Sequence, residues 1–288
     1  MKRASEETAR ALLESFYSRQ KGLIAFIDES YRVEHLPGQL SFYIFSAALI
    51  EASEMQGARD RLISVAGDHF WHTTEVARDK QFERIKVMLG SAKEISQIFV
   101  IAVNLGFEKS DLELTRKEAL VQLASQLALH DVNLAVYETR DTRKRKNADA
   151  AILAKASAAG FLKGMRFVQV SPSVEPLLWI PDLVSWGLRQ DLIGPRRGWF
   201  DSLRSKTVLV AWLASGSENE KRLASASAVT SPELSGAPEG EKTIRSSATS
   251  IAKDFTKLQE LKDIVGNFSS PSIDPENLRN WIRGTFPK

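Results

Sequence analysis

The chain contains no cysteine among its 288 residues. This absence excludes a disulfide scaffold, a zinc site built on thiolates and a cysteine nucleophile. Any metal ion would therefore have to be held by oxygen or imidazole groups.

Long apolar runs are also missing. Stretches such as Phe42–Ile50 and Ile98–Val103 are far shorter than the roughly 20 residues of a membrane helix. We therefore expect a soluble, cytoplasmic protein without membrane contact.

The sequence has no Gly-x-Gly-x-x-Gly or Walker-type loop and no Gly-x-Ser-x-Gly elbow, so nothing supports a nucleotide-cofactor enzyme or a serine hydrolase.

The overall charge says little about partners. Lysine and arginine number 39 against 36 acidic residues, a formal net charge of +3, which is too small to indicate nucleic acid by itself. One local run is strongly basic, with five cations and one anion in seven residues. Such runs are usually solvated loops, whereas beside an acidic site they would bind phosphates. Its cations are Arg140, Arg143, Lys144, Arg145 and Lys146.

The hydrophobic pattern predicts an α/β fold in which two antiparallel strands come first and later strands add in parallel, covered by helices. The predicted strands are Gly22–Ile27, Leu40–Leu49, Ile95–Val103, Val132–Tyr137 and Met165–Val170. The predicted helices are Ser5–Arg19, Glu51–Val65, Val76–Leu89, Leu112–Leu129, Ala148–Phe161 and Leu177–Leu188, of which Leu112–Leu129 has the clearest amphipathic pattern.

The composition divides the chain into three parts. Residues 1–213 carry the apolar pattern of a folded domain, and residues 214–270 form a low-complexity linker, a flexible Ser/Ala-rich tail. Residues 271–288 contain enough apolar side chains for a short amphipathic helix that docks back or binds a partner. The N-terminal helix is a packing element or an oligomer contact, so either end could hold a homo-oligomer or a protein partner.

Two carboxylates stand out. Asp28 follows the apolar run Gly22–Ile27, where a strand end can reach a cleft, although a solvated turn aspartate is the more ordinary interpretation. Asp182 is the lone charge in an apolar stretch, where it needs a metal, a cation or a helix N-terminus. Because Pro181 favours a helix start, capping and metal binding are equally supported.

At these residues the chain resembles the proteins catalogued as domain of unknown function 3800, which are similar to RNase H in fold. The resemblance rests on Phe26-Ile27-Asp28-Glu29-Ser30 and on Pro181-Asp182-Leu183-Val184, and it spans about residues 22–188. The family usually has glycine after its first motif and alanine before the aspartate of its second. This chain has Tyr31 and Pro181 at those places.

The resemblance implies an RNase H-like mixed sheet flanked by helices, in which Asp28 and Asp182 share one acidic cluster. Such clusters bind Mg²⁺ or Mn²⁺, and two ions about 4 Å apart could activate a water for phosphodiester hydrolysis. Glu75 is comparable to a first-helix glutamate and is the leading third ligand.

Two further acids, Glu138 and Asp149, could enter the same cleft. Their ordinary roles would be an ion pair with Arg140 for Glu138 and a helix-start charge for Asp149. His69, His72 and Glu75 could align at three-residue steps on a helix, but they do not form a zinc motif.

Two functions follow from this pattern. The first is a metal-dependent nuclease with Asp28, Glu75 and Asp182 as catalytic ligands and the basic run on the nucleic-acid backbone. The second is a non-catalytic nucleic-acid- or protein-binding module of the same fold, in a phage-defence or mobile-element context as the resemblance hints. The replaced small residues in both motifs favour the second hypothesis somewhat.

Overall fold

A computed structural model describes residues 2–33, 40–67, 69–140, 142–162, 164–194, 198–214 and 267–286. Only the backbone is described for residues 2–5, 143–144 and 267–268. Most of the predicted linker, residues 215–266, lies outside the described part of the chain.

The described elements alternate between strands and helices over most of the chain. The strands are β1 (Leu23–Arg32), β2 (Phe42–Glu51), β3 (Ile98–Leu105), β4 (Leu134–Glu138), β5 (Arg166–Val170), β6 (Thr207–Leu213) and β7 (Asn267–Ser269). The helices are α1 (Lys2–Tyr17), α2 (Met55–Ala66), α3 (Thr73–Arg78), α4 (Phe82–Ile95), α5 (Leu112–Leu129), α6 (Arg143–Ala158), α7 (Trp179–Ile193) and α8 (Pro275–Thr285).

The strands form one mixed sheet in the order β5-β4-β1-β2-β3-β6-β7. β2 runs antiparallel to both of its neighbours, whereas β4, β5, β6 and β7 join the sheet in parallel. This confirms the predicted mixed sheet flanked by helices, with an antiparallel start and later parallel additions. β1 pairs with β2 along its full length but with β4 only over Ile24–Ile27, so from Asp28 onward its β4-side edge is open.

Helices cover both faces of the sheet, because alternate residues of the central strands point to opposite sides. Phe26 belongs to a core beneath α2, α4 and α7, and its neighbour Ile27 to a core beneath α5, α6 and α8. α7 packs directly across β1 and β2, which confirms that the first strand meets the last helix of the predicted core. In the described ranges no helix combines the length and the apolar composition needed to cross a bilayer.

Three predicted elements differ from the structure. β1 continues to Arg32, so Asp28 lies inside the strand and not at its end. The single predicted helix Val76–Leu89 is two helices, because Lys80 adopts a left-handed backbone (φ 59°) between α3 and α4. α6 begins at Arg143, which places part of the basic run in a helix.

The clear amphipathic pattern predicted for α5 is also wrong. The helix has the predicted bounds, but nearly its whole length from Thr115 to Ala128 is buried. The reason is that α8 packs on the side of α5 that faces away from the sheet. Arg279 of α8 lies 2.9 Å from Glu118 and 3.1 Å from Asp111, so the predicted C-terminal helix docks back onto the domain.

Two strands were not predicted. β6 is a continuous apolar run, Thr207–Leu213, beside β3, and this continuity is typical of a strand covered on both faces. β7, at Asn267–Ser269, pairs with β6 although these residues were assigned to the linker. The C-terminal segment therefore adds an edge strand as well as α8.

Candidate active site

Three carboxylates from distant parts of the chain meet where β4 ends beside β1. Asp28 is the first residue of β1 beyond the ladder with β4, and Glu138 is the last residue of β4. Asp182 lies in the first turn of α7. The carboxyl groups of Asp28 and Glu138 lie close enough to affect each other's protonation, and the charge of Asp182 acts on both.

Ser46 fixes the distance between α7 and the sheet at this point. It lies opposite Asp28 in the β1–β2 pair and is completely buried. Its Oγ donates to the carbonyl oxygen of Pro181 at 2.8 Å and lies 2.8 Å from Oγ of Ser185. A small polar side chain on β2 thus holds the start of α7 close to the sheet, where Asp182 faces Asp28.

Asp182 also binds the start of a second helix. Its Oδ2 accepts a hydrogen bond from the backbone amide of Thr73, the first residue of α3, at 2.9 Å. Nδ1 of His72 lies 3.9 Å from the same oxygen. Pro181 is the third residue of α7 and not its first, so Asp182 does not cap its own helix. Asp182 thus accepts a hydrogen bond from the start of α3 instead of its own helix, and its part in metal binding stays a prediction.

The surroundings of the cluster favour the protonated carboxyl groups. Burial, followed by the charges of Asp182 and Glu138, raises the pKa of Asp28 well above its usual range. Burial likewise raises the pKa of Glu138 and that of Asp182, against the opposing effects of the Thr73 hydrogen bond and of His72. The cluster therefore holds more negative charge than its neighbours balance, and a proton or a cation would relieve it.

Asp149 lies in a separate ion-pair network. It is 1% exposed and accepts two hydrogen bonds from the guanidinium of Arg116, one of them at 3.0 Å from Nη2. Arg140 lies 3.4 Å from Asp149 and 3.2 Å from Glu113, and Arg116 Nε donates to Glu29 at 2.8 Å. Asp149 thus neutralises two arginines, and the predicted ordinary pairing of Arg140 with Glu138 is replaced by pairs with Glu113 and Asp149.

A cleft of about 380 Å³ is lined both by Asp28 and Glu138 of the acidic cluster and by the arginines of this network. It opens on the β4 side of β1, at the carboxyl ends of parallel strands, where α/β sheets usually bind ligands. Its wall combines carboxylates, arginines and aromatic rings, including Asp28, Glu138, Arg116, Arg140, Arg145 and Tyr31.

Glu75 stays apart from the cluster. It is exposed in the first turn of α3, and the acids whose charges raise the pKa of Asp28 are Asp182, Glu138 and Glu29. Glu138, also a predicted ligand, interacts with Asp28 and Asp182, and the roles of Glu75 and Glu138 as metal ligands stay predictions. His69 is exposed.

Only some residues of the predicted basic run lie at the cleft. Arg140 and Arg145 line the cleft, and Lys146 is half-buried on α6. The side chains of Arg143 and Lys144 lie outside the described residues. Arg116, Tyr31 and Ser46 were missed, and the only sequence signal for Arg116 is a cation within the otherwise mostly apolar helix α5.

The donor set suits a hard divalent cation, because it consists of carboxylate oxygens bearing unbalanced negative charge. Within the described ranges, however, no group of three or more histidine, aspartate or glutamate side chains has the arrangement of a metal site. Small side-chain movements would have to accompany metal binding.

No protein-family model matches the chain, and no curated protein matches its sequence. Among solved structures the chain aligns with Bst-RNase HIII in complex with Mn²⁺, over 82% of this chain and 72% of that one, with 11% identity and a TM-score of 0.35. The ribonuclease H2 of Pyrococcus horikoshii OT3 aligns over 82% of this chain and 99% of its own, with 11% identity and a TM-score of 0.31. At such scores the fold class rests on the sheet topology described above.

Proposed function

We propose that the chain is a Mg²⁺- or Mn²⁺-dependent nuclease that hydrolyses phosphodiester bonds of RNA or DNA. The observation that carries the proposal is the meeting of Asp28, Glu138 and Asp182 in one cluster with raised pKa values. Three carboxylates that repel one another at the carboxyl ends of parallel strands are a costly arrangement for stability alone. Strongly perturbed carboxylates in a cleft are typical of functional sites.

In this proposal Asp28, Glu138 and Asp182 would hold the ion, which when bound supplies a nucleophilic water and neutralises the developing phosphate charge. Arg140 and Arg145 line the same cleft and would bind the non-bridging oxygens of neighbouring phosphates. His72, 3.9 Å from Asp182, is placed to exchange a proton at the edge of the site. Glu75, exposed on α3, is not part of the proposed ligand set.

The test compares Asp28→Asn with Glu75→Gln in Mn²⁺ and Mg²⁺, on end-labelled single-stranded and double-stranded RNA and DNA. Asp28→Asn removes a carboxylate from the cluster, and Glu75→Gln removes an exposed one nearby. We expect Asp28→Asn to reduce cleavage at least a hundredfold and Glu75→Gln to leave it within about twofold, with both variants folded by thermal melting. A fully active Asp28→Asn variant would falsify the nuclease.

A second candidate function is a non-catalytic nucleic-acid-binding module of the same fold. It is favoured by the lack of a metal-site arrangement among the described side chains. Titration with Mn²⁺ in a thermal shift assay separates the two. The nuclease should be stabilised by Mn²⁺ and should cleave, whereas the binding module should bind nucleic acid in a salt-sensitive way with no response to metal.

A further inference from the structure

Tyr31 presents a flat, supported aromatic face beside the acidic cluster. It pairs with Tyr43 across β1 and β2, and the two rings stack with centroids 5.4 Å apart and planes within 7°. Tyr43 is buried, whereas Tyr31 is 49% exposed. One face of the Tyr31 ring is therefore held by a buried partner and the ring is fixed in orientation, a low-entropy contact surface for a ligand.

The support continues into the protein. The Tyr43 ring lies 5.5 Å from that of Phe45, and the guanidinium of Arg116 lies 5.4 Å from the Phe45 centroid. Arg116 is itself fixed by Glu29 and by the buried Asp149. The contacts that begin at the Tyr31 ring thus pass through Tyr43 and Phe45 and end at the ion pairs of Arg116. These contacts hold the exposed tyrosine in place without apolar cover.

Tyr31 lines the same cleft as Asp28 and Glu138 of the acidic cluster. Tyr31 lies three positions beyond Asp28 along β1, which is about 10 Å in an extended strand. The two side chains leave the strand on opposite faces, but both line the cleft because β4 ends at Glu138 and uncovers this edge. Arg140 and Arg145 line it as well. A planar ring, cations and an acidic cluster thus surround one opening.

A nucleobase is the ligand that this combination fits. Its flat face stacks on an exposed aromatic ring, and the phosphates on either side of it are bound by arginines. In a duplex the base faces are covered by neighbouring base pairs, so only an unpaired base can lie against a protein ring. The cleft would therefore discriminate between single strands and duplexes through Tyr31.

We propose that Tyr31 is a base-stacking residue and that the cleft binds a single-stranded nucleic acid, with one unpaired base on the exposed face of the ring. The part of this inference that runs the bound strand toward Asp28 rests on the proposed function. The binding itself needs no metal. Because stacking is tolerant of base identity, we expect affinity for single strands of any sequence and weaker affinity for blunt duplexes.

The test measures the affinity of the full chain for a fluorescein-labelled 12-nucleotide strand and for its blunt duplex, in EDTA so that no cleavage occurs. Tyr31→Ala should weaken single-strand binding roughly tenfold, and Tyr31→Phe should stay within about twofold of wild type because the ring remains. Duplex affinity should be unchanged in both variants. Leu129→Ala is the matched control, because Leu129 is an exposed apolar residue at the opposite end of α5 from Leu112, which lines the cleft.

A second measurement locates the base directly. A strand carrying 5-iodouracil should form a photo-crosslink in the peptide that contains Tyr31, and Tyr31→Ala should remove it. The proposal is overturned if wild type does not bind the single strand, if Tyr31→Ala binds it as tightly as wild type, or if single-strand and duplex affinity fall equally. Failure of the stacking proposal would not decide the nuclease proposal, because the Asp28→Asn cleavage assay does not involve Tyr31.

Discussion

The backbone amide of Thr73 donates a hydrogen bond to Oδ2 of Asp182 at 2.9 Å, although 109 residues separate them. One carboxylate thus belongs to the acidic cluster and also holds the first turn of α3. Because Thr73 is completely buried, its amide has no ready substitute in water. The start of α3 and the acidic cluster are therefore coupled through Asp182.

Asp182→Ala and Asp182→Asn should separate these two roles. The alanine variant leaves the Thr73 amide without an acceptor, and we expect it to lose about 1–2 kcal/mol of unfolding free energy. The asparagine variant keeps an acceptor oxygen and should lose less, while both variants lose metal-dependent cleavage. Urea denaturation gives the stability, and hydrogen exchange should show faster exchange in α3 for the alanine variant alone. Equal stability of the two variants would contradict the capping role.

Asp28→Asn should stabilise the metal-free protein. The pKa of Asp28 in the folded chain lies above its unfolded value, so the ionised group disfavours folding at every pH above the unfolded pKa. We expect the variant to melt a few degrees higher than wild type at pH 8 in EDTA, with the difference shrinking as the pH falls through the unfolded pKa of about 3.9, below which Asp28 is protonated in both states. Asp60→Asn, an exposed carboxylate on α2, is the control. A lower melting temperature for Asp28→Asn at pH 8 would show that burial does not strain this carboxylate.

The elements that carry the site could be predicted because their signals are local. The apolar run before Asp28 predicts a central strand, and the lone charge of Asp182 in an apolar helix indicates an unusual environment. Both residues do meet in the structure. Hydrophobic periodicity and the cost of burying a charge depend only on residues that are neighbours in the sequence. They can therefore be recognised without knowing where the fold places the segment.

Glu138 could be named only as a possible further ligand, because its place in the cluster depends on where β4 stops beside β1. Glu138 enters the cluster only because the parallel ladder ends at Ile27 and Tyr137, a long-range register that no local pattern encodes. Glu75 has the expected helical setting in the first turn of α3, but its side chain is exposed. The assignment of Asp149 failed for a similar reason, since its partner Arg116 lies 33 residues away.

Glu118 should make stability depend on pH near neutrality. Burial raises its pKa to about 7, against the opposing charge of Arg279. Because the folded pKa lies above the unfolded one, the unfolding free energy should fall as pH rises from about 4.5 to about 7 and then level off. Glu118→Gln removes this titration, so its unfolding free energy in urea should vary less between pH 5 and pH 8. Glu83→Gln, on the surface of α4, should keep the wild-type change of unfolding free energy with pH. If Glu118→Gln also kept that change, the pH dependence would belong to another group.

Glu175 should be the main anchor of α1. Its Oε1 accepts from Arg59 Nε at 3.0 Å, and its Oε2 accepts from Arg59 Nη2 and from the Tyr17 hydroxyl, each at 2.8 Å. Glu175→Ala leaves a largely buried guanidinium without its carboxylate, which costs about 3–5 kcal/mol in comparable pairs. Tyr17→Phe removes a single hydrogen bond and should cost about 1 kcal/mol. Denaturation in urea measures both losses, and limited proteolysis should cut α1 earlier in Glu175→Ala. If Tyr17→Phe lost as much stability as Glu175→Ala, the hydroxyl and not the ion pair would be holding the helix.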